Sequence, residues 1–263
     1  MKNPVTMNST FPFFAFILLF SVSQFSCKPG SGTGQNSKEL VFKTEPMESS
    51  TPFPNAAIQS VAYENGTFKY QISGDYKLGE QTSDAPQKMC ANSKDGQHIH
   101  LIVDDKPYEA RYKDSFHYII PDGNHYLLSF LSRSYHESIK TNSAFSLMNA
   151  EIKDSSLVKV EPVSQPMLFY SRPKGTYVGK DADRVMLDFY VVNCQLGSEY
   201  KVKAEVAGNS FVLDKWEPII MTGLPMGEHL MKLSLVDASG NLVKCPLNPV
   251  ERKFTLQAEP SVK

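Results

Sequence analysis

Residues 97–138 read QHIHLIVDDKPYEARYKDSFHYIIPDGNHYLLSFLSRSYHES and hold five of the six histidines of the chain. The segment 98–103 alternates in the manner of a β-strand, in which successive side chains point to opposite faces. A Pro-Asp-Gly turn at 121–123 leads into a second alternating segment at 126–131. The stretch therefore predicts two strands of a β-sheet, and its polar residues make it the place where we expect the chemistry of the protein.

The pattern of this stretch occurs a second time in the chain. Three pairs of segments correspond: 68–79 with 186–197, 97–103 with 200–206, and 120–125 with 224–229. Each copy then continues into an alternating strand, YLLSFL in the first and LMKLSL in the second. Such self-similarity indicates that the chain is built from two units of the same fold.

The short apolar segments within each copy predict the fold class. In the first copy we expect strands at 58–62, 67–72, 98–103, 107–112, 116–120, 125–132 and 144–152. In the second copy we expect them at 167–171, 184–193, 200–206, 209–213, 217–221, 229–236 and 250–257. This pattern predicts an all-β protein with two tandem immunoglobulin-like β-sandwich domains, at 53–160 and 161–263. Residues 82–96 are an insertion that the second copy lacks.

The N-terminus has the pattern of an export signal. Lys2 precedes an apolar run at 11–20 that is too short to span a bilayer, and Cys27 follows a serine. This arrangement resembles a bacterial lipoprotein signal, although Gln24 stands where that pattern prefers leucine. We expect residues 1–26 to be a signal peptide. An acylated Cys27 would then anchor the exported protein in the bilayer of the bacterial outer membrane, on its periplasmic or cell-surface face. The alternatives are ordinary signal cleavage and an uncleaved anchor, and in either case we expect an exported protein.

Composition restricts the remaining possibilities. Residues 27–52 are rich in glycine, serine, threonine and charge, which predicts a flexible tether between the anchor and the first domain. The net charge of −1 provides no overall field that would recruit nucleic acid, so we expect no nucleic-acid partner. The sequence contains none of the nucleophile-elbow, zinc-protease, Cys-x-x-Cys or phosphate-loop motifs, and we predict that the protein is not an enzyme.

Histidines on the first strand are candidate metal ligands. His98 and His100 alternate with apolar residues, and their counterparts in the second copy are Lys201 and Lys203. Lysines at these positions predict that this strand face is exposed to solvent. In an immunoglobulin-like strand order His136 lies towards the same edge, and the three imidazoles would suit copper or zinc. The alternative is an exposed polar strand face whose histidines bind nothing.

Neighbouring residues extend or limit this candidate site. Met89 and Cys90, in the insertion, are expected to approach the same edge and offer soft sulfur ligands. His125 aligns with His229 of the second copy, which has no His-x-His strand. We therefore interpret this pair as a shared structural residue and leave His125 out of the metal site.

A second candidate site is basic, and two other cysteines suggest a crosslink. Arginine and lysine beside hydroxyl groups can hold a phosphate or a carboxylate, and the alternative is a pair of solvated turns. The residues concerned are Ser132, Arg133, Ser134, Arg172 and Lys174. The predicted strand order brings Cys194 and Cys245 to the same end of the second sandwich, where an exported protein permits a disulfide. Cys90 would then remain unpaired.

Several of these runs carry a family resemblance. The segments KMCANSKDGQHIHLIVDDKPYEARY, PDGNHYLLSFLSRSYHES, LFYSRPKGTYVG and VMLDFYVVN resemble a family of exported bacterial lipoproteins that are commonly labelled phosphopeptide-binding proteins. The resemblance implies immunoglobulin-like domains and a peptide ligand. The histidine pattern is also similar to a small domain family of unknown function in exported bacterial proteins. His98, His100, His125 and His136 match that pattern, but Ile139 stands where a further histidine is expected.

Three functions remain open from the sequence. The first is a non-enzymatic envelope binding module that uses residues between 98 and 136 to recognise a peptide or protein, including a phosphopeptide, or another ligand. The second is a periplasmic copper- or zinc-binding protein that uses His98, His100 and His136. The third is a structural subunit of an envelope assembly, in which the second domain supplies the contact surface.

Overall fold

Alternating apolar segments become strands throughout the part of the chain that the computed structural model describes, which is residues 41–260. The first copy and the segment before it contain β1 (Lys43–Pro46), β2 (Ala57–Glu64), β3 (Thr67–Ser73), α1 (Ala85–Lys88), β4 (His98–Val103), β5 (Glu109–Arg111), β6 (Ser115–His117), β7 (Gly123–Ser132), β8 (Phe145–Lys153) and β9 (Ser156–Glu161). The second copy contains β10 (Met167–Arg172), β11 (Gly175–Val178), α2 (Lys180–Asp183), β12 (Val185–Val192), β13 (Tyr200–Val206), β14 (Asn209–Leu213), β15 (Ile219–Thr222), β16 (Gly227–Asp237) and β17 (Val250–Gln257).

The strands form four sheets, two in each copy. The first copy has the strand orders β2-β3-β6 and β5-β4-β7-β8-β9, and the second has β1-β15-β12-β10 and β11-β17-β16-β13-β14. Neighbouring strands are antiparallel, except for β11 and β17, which pair in parallel. Leu101 of β4 packs in one cluster with Phe68 of β3, and Leu187 of β12 packs with Leu233 of β16. Each copy is therefore a two-sheet β-sandwich, and the predicted all-β fold class is confirmed.

A third apolar cluster joins the two copies. Leu128 and Phe130 of the first copy pack against Phe169 and Tyr190 of the second, and the rings of Phe130 and Tyr190 stack with centroids 4.9 Å apart. Trp216 packs on the same cluster. Both faces of the sheet that contains β4 are therefore covered, one by the first sandwich core and the other by the second copy. All six residues of β4 are buried.

The sequence pattern located most strands, but three were not predicted. The expected strands at 67–72, 98–103 and 200–206 lie within one residue of β3, β4 and β13. The strands β9 and β11 lie outside every predicted segment. The third, β1, falls inside the predicted tether. The insertion contains the four-residue helix α1 and returns to the first sandwich, where the Ser93 N–H donates to the Ser134 carbonyl oxygen at 2.8 Å.

The flexible tether predicted for residues 27–52 is wrong for residues 41–52. Strand β1 pairs antiparallel with β15 of the second copy, with Thr44 opposite Met221. Met47 is buried, and its N–H donates to the Pro218 carbonyl oxygen at 2.9 Å. Apolar contact and ladder hydrogen bonds order this segment in spite of its polar composition. The signal peptide and Cys27 lie outside the described residues, and no helix within 41–260 is long and apolar enough to cross a membrane.

Candidate metal centre

Three imidazoles converge at one end of β4. His98 and His100 lie two residues apart and project from the same face of the strand. The Nε2 atom of His98 lies 2.8 Å from Nε2 of His100 and 3.0 Å from Nδ1 of His136. Each of the three residues offers a nitrogen within 4.8 Å of the others. The three histidines predicted as metal ligands therefore lie together in the folded protein.

A tight turn after β7 brings His136 to the strand. The His136 N–H donates to the Arg133 carbonyl oxygen, and the Arg133 N–H donates to the Glu137 carbonyl oxygen, both at 2.9 Å. His136 has a φ of 69°, a left-handed conformation that is uncommon for residues other than glycine. The backbone is thus held in a costly conformation that directs this imidazole towards His98.

The predicted solvent exposure of His98 and His100 is wrong, because both side chains are completely buried. In the second copy Lys201 and Lys203 are only partly buried. The difference arises from the packing of the two copies. The face of β4 that carries the histidines is covered by the second copy, and the Ser171 hydroxyl of β10 lies 3.4 Å from Nδ1 of His100.

Hydrogen bonding fixes the orientation of His98. Its Nδ1 lies 2.8 Å from the Gly96 carbonyl oxygen. A carbonyl can only accept, so Nδ1 carries the proton and Nε2 presents its lone pair to the other two imidazoles. Gly96 has a φ of +84°, and a Cβ atom there would lie 2.6 Å from the backbone of Gly79. Only glycine therefore fits at the residue that orients this imidazole.

Burial keeps the three imidazoles neutral. Loss of hydration, with a smaller contribution from the positive Arg172, lowers the pKa of His98 to about 4, although the hydrogen bond to the Gly96 carbonyl oxygen opposes this shift. Burial likewise holds the pKa of His100 and that of His136 well below the usual value of 6.5. Neutral imidazole is the form that donates a lone pair to a metal ion. The cluster is therefore ready to act as a set of metal ligands at neutral pH.

Two tyrosines that were not predicted as site residues form a wall of the cluster. The ring of Tyr108 stacks on His100, with centroids 3.6 Å apart and planes inclined by 9°. Its hydroxyl lies 3.4 Å from Nδ1 of His136. The ring of Tyr112 lies 5.0 Å from that of His98. Both tyrosines belong to the histidine-rich stretch, but no spacing rule distinguishes them from core aromatic residues.

Two of the predicted anion-binding residues lie behind this wall. The Lys174 ammonium is 4.2 Å from the centroid of the Tyr108 ring, and the Arg172 guanidinium carbon is 5.7 Å from it. Arg172 donates to the Tyr177 hydroxyl at 2.7 Å, and Lys174 donates to the Tyr108 carbonyl oxygen. Their positive charges therefore lie beside the imidazole cluster.

The remaining part of the predicted anion site, residues 132–134, is contradicted by the structure. The Arg133 guanidinium donates to the Thr51 carbonyl oxygen at 2.7 and 3.0 Å and lies 3.5 Å from the Glu137 carboxylate. Ser132 and Ser134 are completely buried, and the Ser134 N–H donates to the Thr82 hydroxyl. These groups hold the N-terminal segment and the insertion against the first sandwich, so their donors are already used within the protein.

His125 has the same structural role as His229, its counterpart in the second copy. Its Nε2 lies 3.0 Å from the Pro121 carbonyl oxygen, and Nε2 of His229 lies 2.7 Å from the Pro225 carbonyl oxygen. The same hydrogen bond thus closes the same turn in both copies. The interpretation of His125 as a shared structural residue is confirmed.

The sulfur-containing residues do not join the cluster. Cys90 packs in a separate apolar group with Tyr135 and Met186. Met89 is 67% exposed and lines a cleft of about 910 Å³ beside α2. The predicted Cys194–Cys245 disulfide is absent, because both residues are free thiols. They are close enough that burial and the neighbouring Cys245 thiol raise the pKa of Cys194 to about 11.

Comparison with known proteins assigns no family. No protein-family model matches the sequence, and no curated protein matches it. Among solved structures, fibronectin(III)-like modules of CbhA from Clostridium thermocellum are 13% identical, with a TM-score of 0.28 over 35% of this chain and 99% of that chain. The chicken interferon gamma receptor alpha chain is 10% identical, with a TM-score of 0.24 over 78% of this chain and 100% of that chain. SGBP-B of the Bacteroides ovatus mixed-linkage glucan utilization locus, in complex with a heptasaccharide, is 8% identical, with a TM-score of 0.23 over 82% of this chain and 70% of that chain.

Proposed function

We propose that this protein is an exported, non-enzymatic binding module that holds one copper or zinc ion at His98, His100 and His136. The observation that carries the proposal is the convergence of three neutral imidazole nitrogens, at 2.8 and 3.0 Å from one another across His98. Ligand nitrogens around a four-coordinate ion, at metal–nitrogen distances of about 2.0–2.1 Å, are separated by roughly 3.3 Å. An ion would therefore need only a small outward shift of the three rings.

The surroundings of the cluster support ligation. The Nδ1–H group of His98 donates a hydrogen bond to the Gly96 carbonyl oxygen. A backbone carbonyl is a usual hydrogen-bond partner for the second ring nitrogen of a metal-bound histidine. The low imidazole pKa values mean that few protons compete with a metal ion near neutral pH. Without an ion, the lone pair of His98 Nε2 has the ring nitrogens of His100 and His136 as its hydrogen-bond partners. Each of these two contacts can contain only one proton, so a metal ion would satisfy the three nitrogens better.

Calorimetric titration of untagged protein with Zn(II), Cu(II) and Cu(I) tests this function. We expect one equivalent of metal to bind to the wild type and none to bind to the His98→Ala/His136→Ala variant. His117→Ala is the matched control, because it removes an exposed histidine of β6 in the same copy. Failure of the wild type to bind any of these ions, or equal binding by the double variant, would refute the proposal.

The peptide ligand implied by the family resemblance remains a prediction. The buried residues 132–134 and the buried His98 and His100 offer no exposed surface to a peptide. A phosphorylated and an unphosphorylated peptide should therefore be included in the same titration. Binding of the phosphopeptide alone, with no metal bound, would favour that function over ours. The role in an envelope assembly likewise remains a prediction.

Export and membrane attachment are part of the proposal and rest on the N-terminal sequence. The apolar run at 11–20 followed by Cys27 supports them. The variant Cys27→Ala should release the protein from membrane fractions, because it removes the only residue that we expect to be acylated. Retention of this variant in the membrane fraction after signal cleavage would contradict the lipid anchor.

A further inference from the structure

We infer that the metal centre is built for a singly charged ion and holds Cu(I) in preference to Cu(II) and Zn(II). The inference rests on the proposed function and specifies which ion the three histidines select. Two observations support it. Positive side chains lie near the cluster, and its ligands are neutral imidazoles without a carboxylate, whereas a site for a divalent cation usually includes negative ligands.

Two positive side chains, Arg172 and Lys174, lie near the Tyr108 ring that stacks on His100. The Tyr108 ring is sandwiched between His100, 3.6 Å away on one face, and the Lys174 ammonium, 4.2 Å from its centroid. The Arg172 guanidinium lies 5.7 Å from the same ring, and its side chain is almost completely buried. Water does not screen a charge in such a position as it screens a surface charge. A metal ion at the cluster would therefore feel repulsion from Arg172 and Lys174.

No carboxylate compensates this charge at short range within residues 41–260. None of the ion pairs formed by these residues includes Arg172 or Lys174. Glu109 is the acidic group that acts on Lys174, and its side chain is 42% exposed. The Nε atom of Arg172 is buried and has no hydrogen-bond partner. Because Coulomb repulsion grows with the product of the charges, a divalent ion meets twice the repulsion that a monovalent ion meets.

The ligand set gives the same preference. The cluster offers three neutral imidazoles and contains no Asp, Glu or Cys of the described residues. Three nitrogen donors satisfy Cu(I), a closed-shell ion with a low coordination number. Zn(II) and Cu(II) require at least a fourth ligand, which would be water or an anion. The groups beside the cluster are the phenol rings of Tyr108 and Tyr112, 3.6 Å from the ring of His100 and 5.0 Å from that of His98, and not carboxylates.

The reduction potential of bound copper tests the role of Arg172. Removing its charge in Arg172→Gln should lower the ratio of Cu(I) affinity to Cu(II) affinity by about tenfold, which corresponds to a fall of about 59 mV for a one-electron couple. Arg172→Lys, which keeps the charge, should remain near the wild type. Arg111→Gln is the matched control. Arg111 is paired with Ile99 of β4, so it lies on the opposite face of the sheet from the histidines.

The outcomes separate this inference from the proposed function. If the wild type binds no metal, the proposed function itself fails. If it binds metal but holds Cu(II) or Zn(II) as tightly as Cu(I), or if Arg172→Gln leaves the potential unchanged, only the inference is overturned. Should Arg172→Gln fail to fold, Lys174→Gln provides the same test. Lys174 is less buried than Arg172, and its loss should shift the potential in the same direction.

Discussion

Protonation of single side chains sets the conditions under which the cluster can exist. In the folded protein, burial lowers the pKa of His98 to about 4, from the 6.5 that applies to an exposed imidazole. Burial also holds the pKa values of His100 and His136 well below 6.5. Between about pH 4 and pH 6.5 the unfolded chain therefore binds more protons than the folded protein. Stability must therefore rise with pH across this window.

We predict that the free energy of unfolding is highest above about pH 6.5 and falls as the pH is lowered towards about 4. Each of the three histidines contributes at most about 1.4 kcal/mol per pH unit. Urea denaturation at a series of pH values, without metal, measures this slope. His98→Gln should have a shallower slope than the wild type, and the exposed control His117→Ala should keep the wild-type slope. Parallel curves for the wild type and His98→Gln would show that this imidazole is not buried in a neutral form.

At the scale of single elements, β1 attaches the N-terminal segment to the second sandwich. Met47, directly after this strand, contacts Tyr135, Met186 and Ile220 in one buried group. Truncation of such a residue leaves a cavity and costs about 2–5 kcal/mol. We predict a loss of this order for Met47→Ala in urea denaturation, and a change within about 0.5 kcal/mol for the exposed control Val41→Ala. A flexible segment would give the two variants the same stability.

The strands show what local sequence can and cannot determine. The alternation of residues 98–103 predicted β4, because side-chain period depends only on neighbouring residues. The burial of His98 and His100 could not be predicted in this way. It depends on which sheet face the second copy covers. Comparison of the repeats predicted exposure, because the corresponding Lys201 and Lys203 lie on a face that is only partly buried. Strand β1 was missed for a similar reason, since its partner β15 lies about 175 residues further along the chain.

The whole molecule depends on contacts between the two copies, because these contacts bury the histidine face. The candidate centre takes its ligands from the first copy, whereas Arg172, Lys174 and Ser171 come from β10 and the turn after it. Residues 41–260 accordingly belong to one compact unit. Each copy thus has the strand topology of a separate sandwich. The candidate centre nevertheless contains residues of both copies.

An ionic contact at this junction provides the test. The carboxylate of Asp188 in β12 is completely buried. It accepts hydrogen bonds from the backbone N–H and the hydroxyl of Ser138, at 3.2 and 3.0 Å, and from the Lys140 ammonium at 2.6 Å. Removing one partner of a buried ion pair leaves the other charge uncompensated, and the cost is about 3–5 kcal/mol. We predict a loss of this order for Asp188→Asn.

The same substitution should also uncouple the two copies. The single tryptophan, Trp216, packs on the junction and reports on it by fluorescence, while circular dichroism reports on all strands. In the wild type both signals should change together in thermal unfolding, whereas in Asp188→Asn the fluorescence change should come first. Glu161→Gln is the control, because it breaks an ion pair with Lys159 that is exposed to solvent and lies away from the junction. If both signals still coincide in Asp188→Asn at the wild-type midpoint, this contact does not couple the copies, and the burial of the histidine face must depend on the apolar cluster alone.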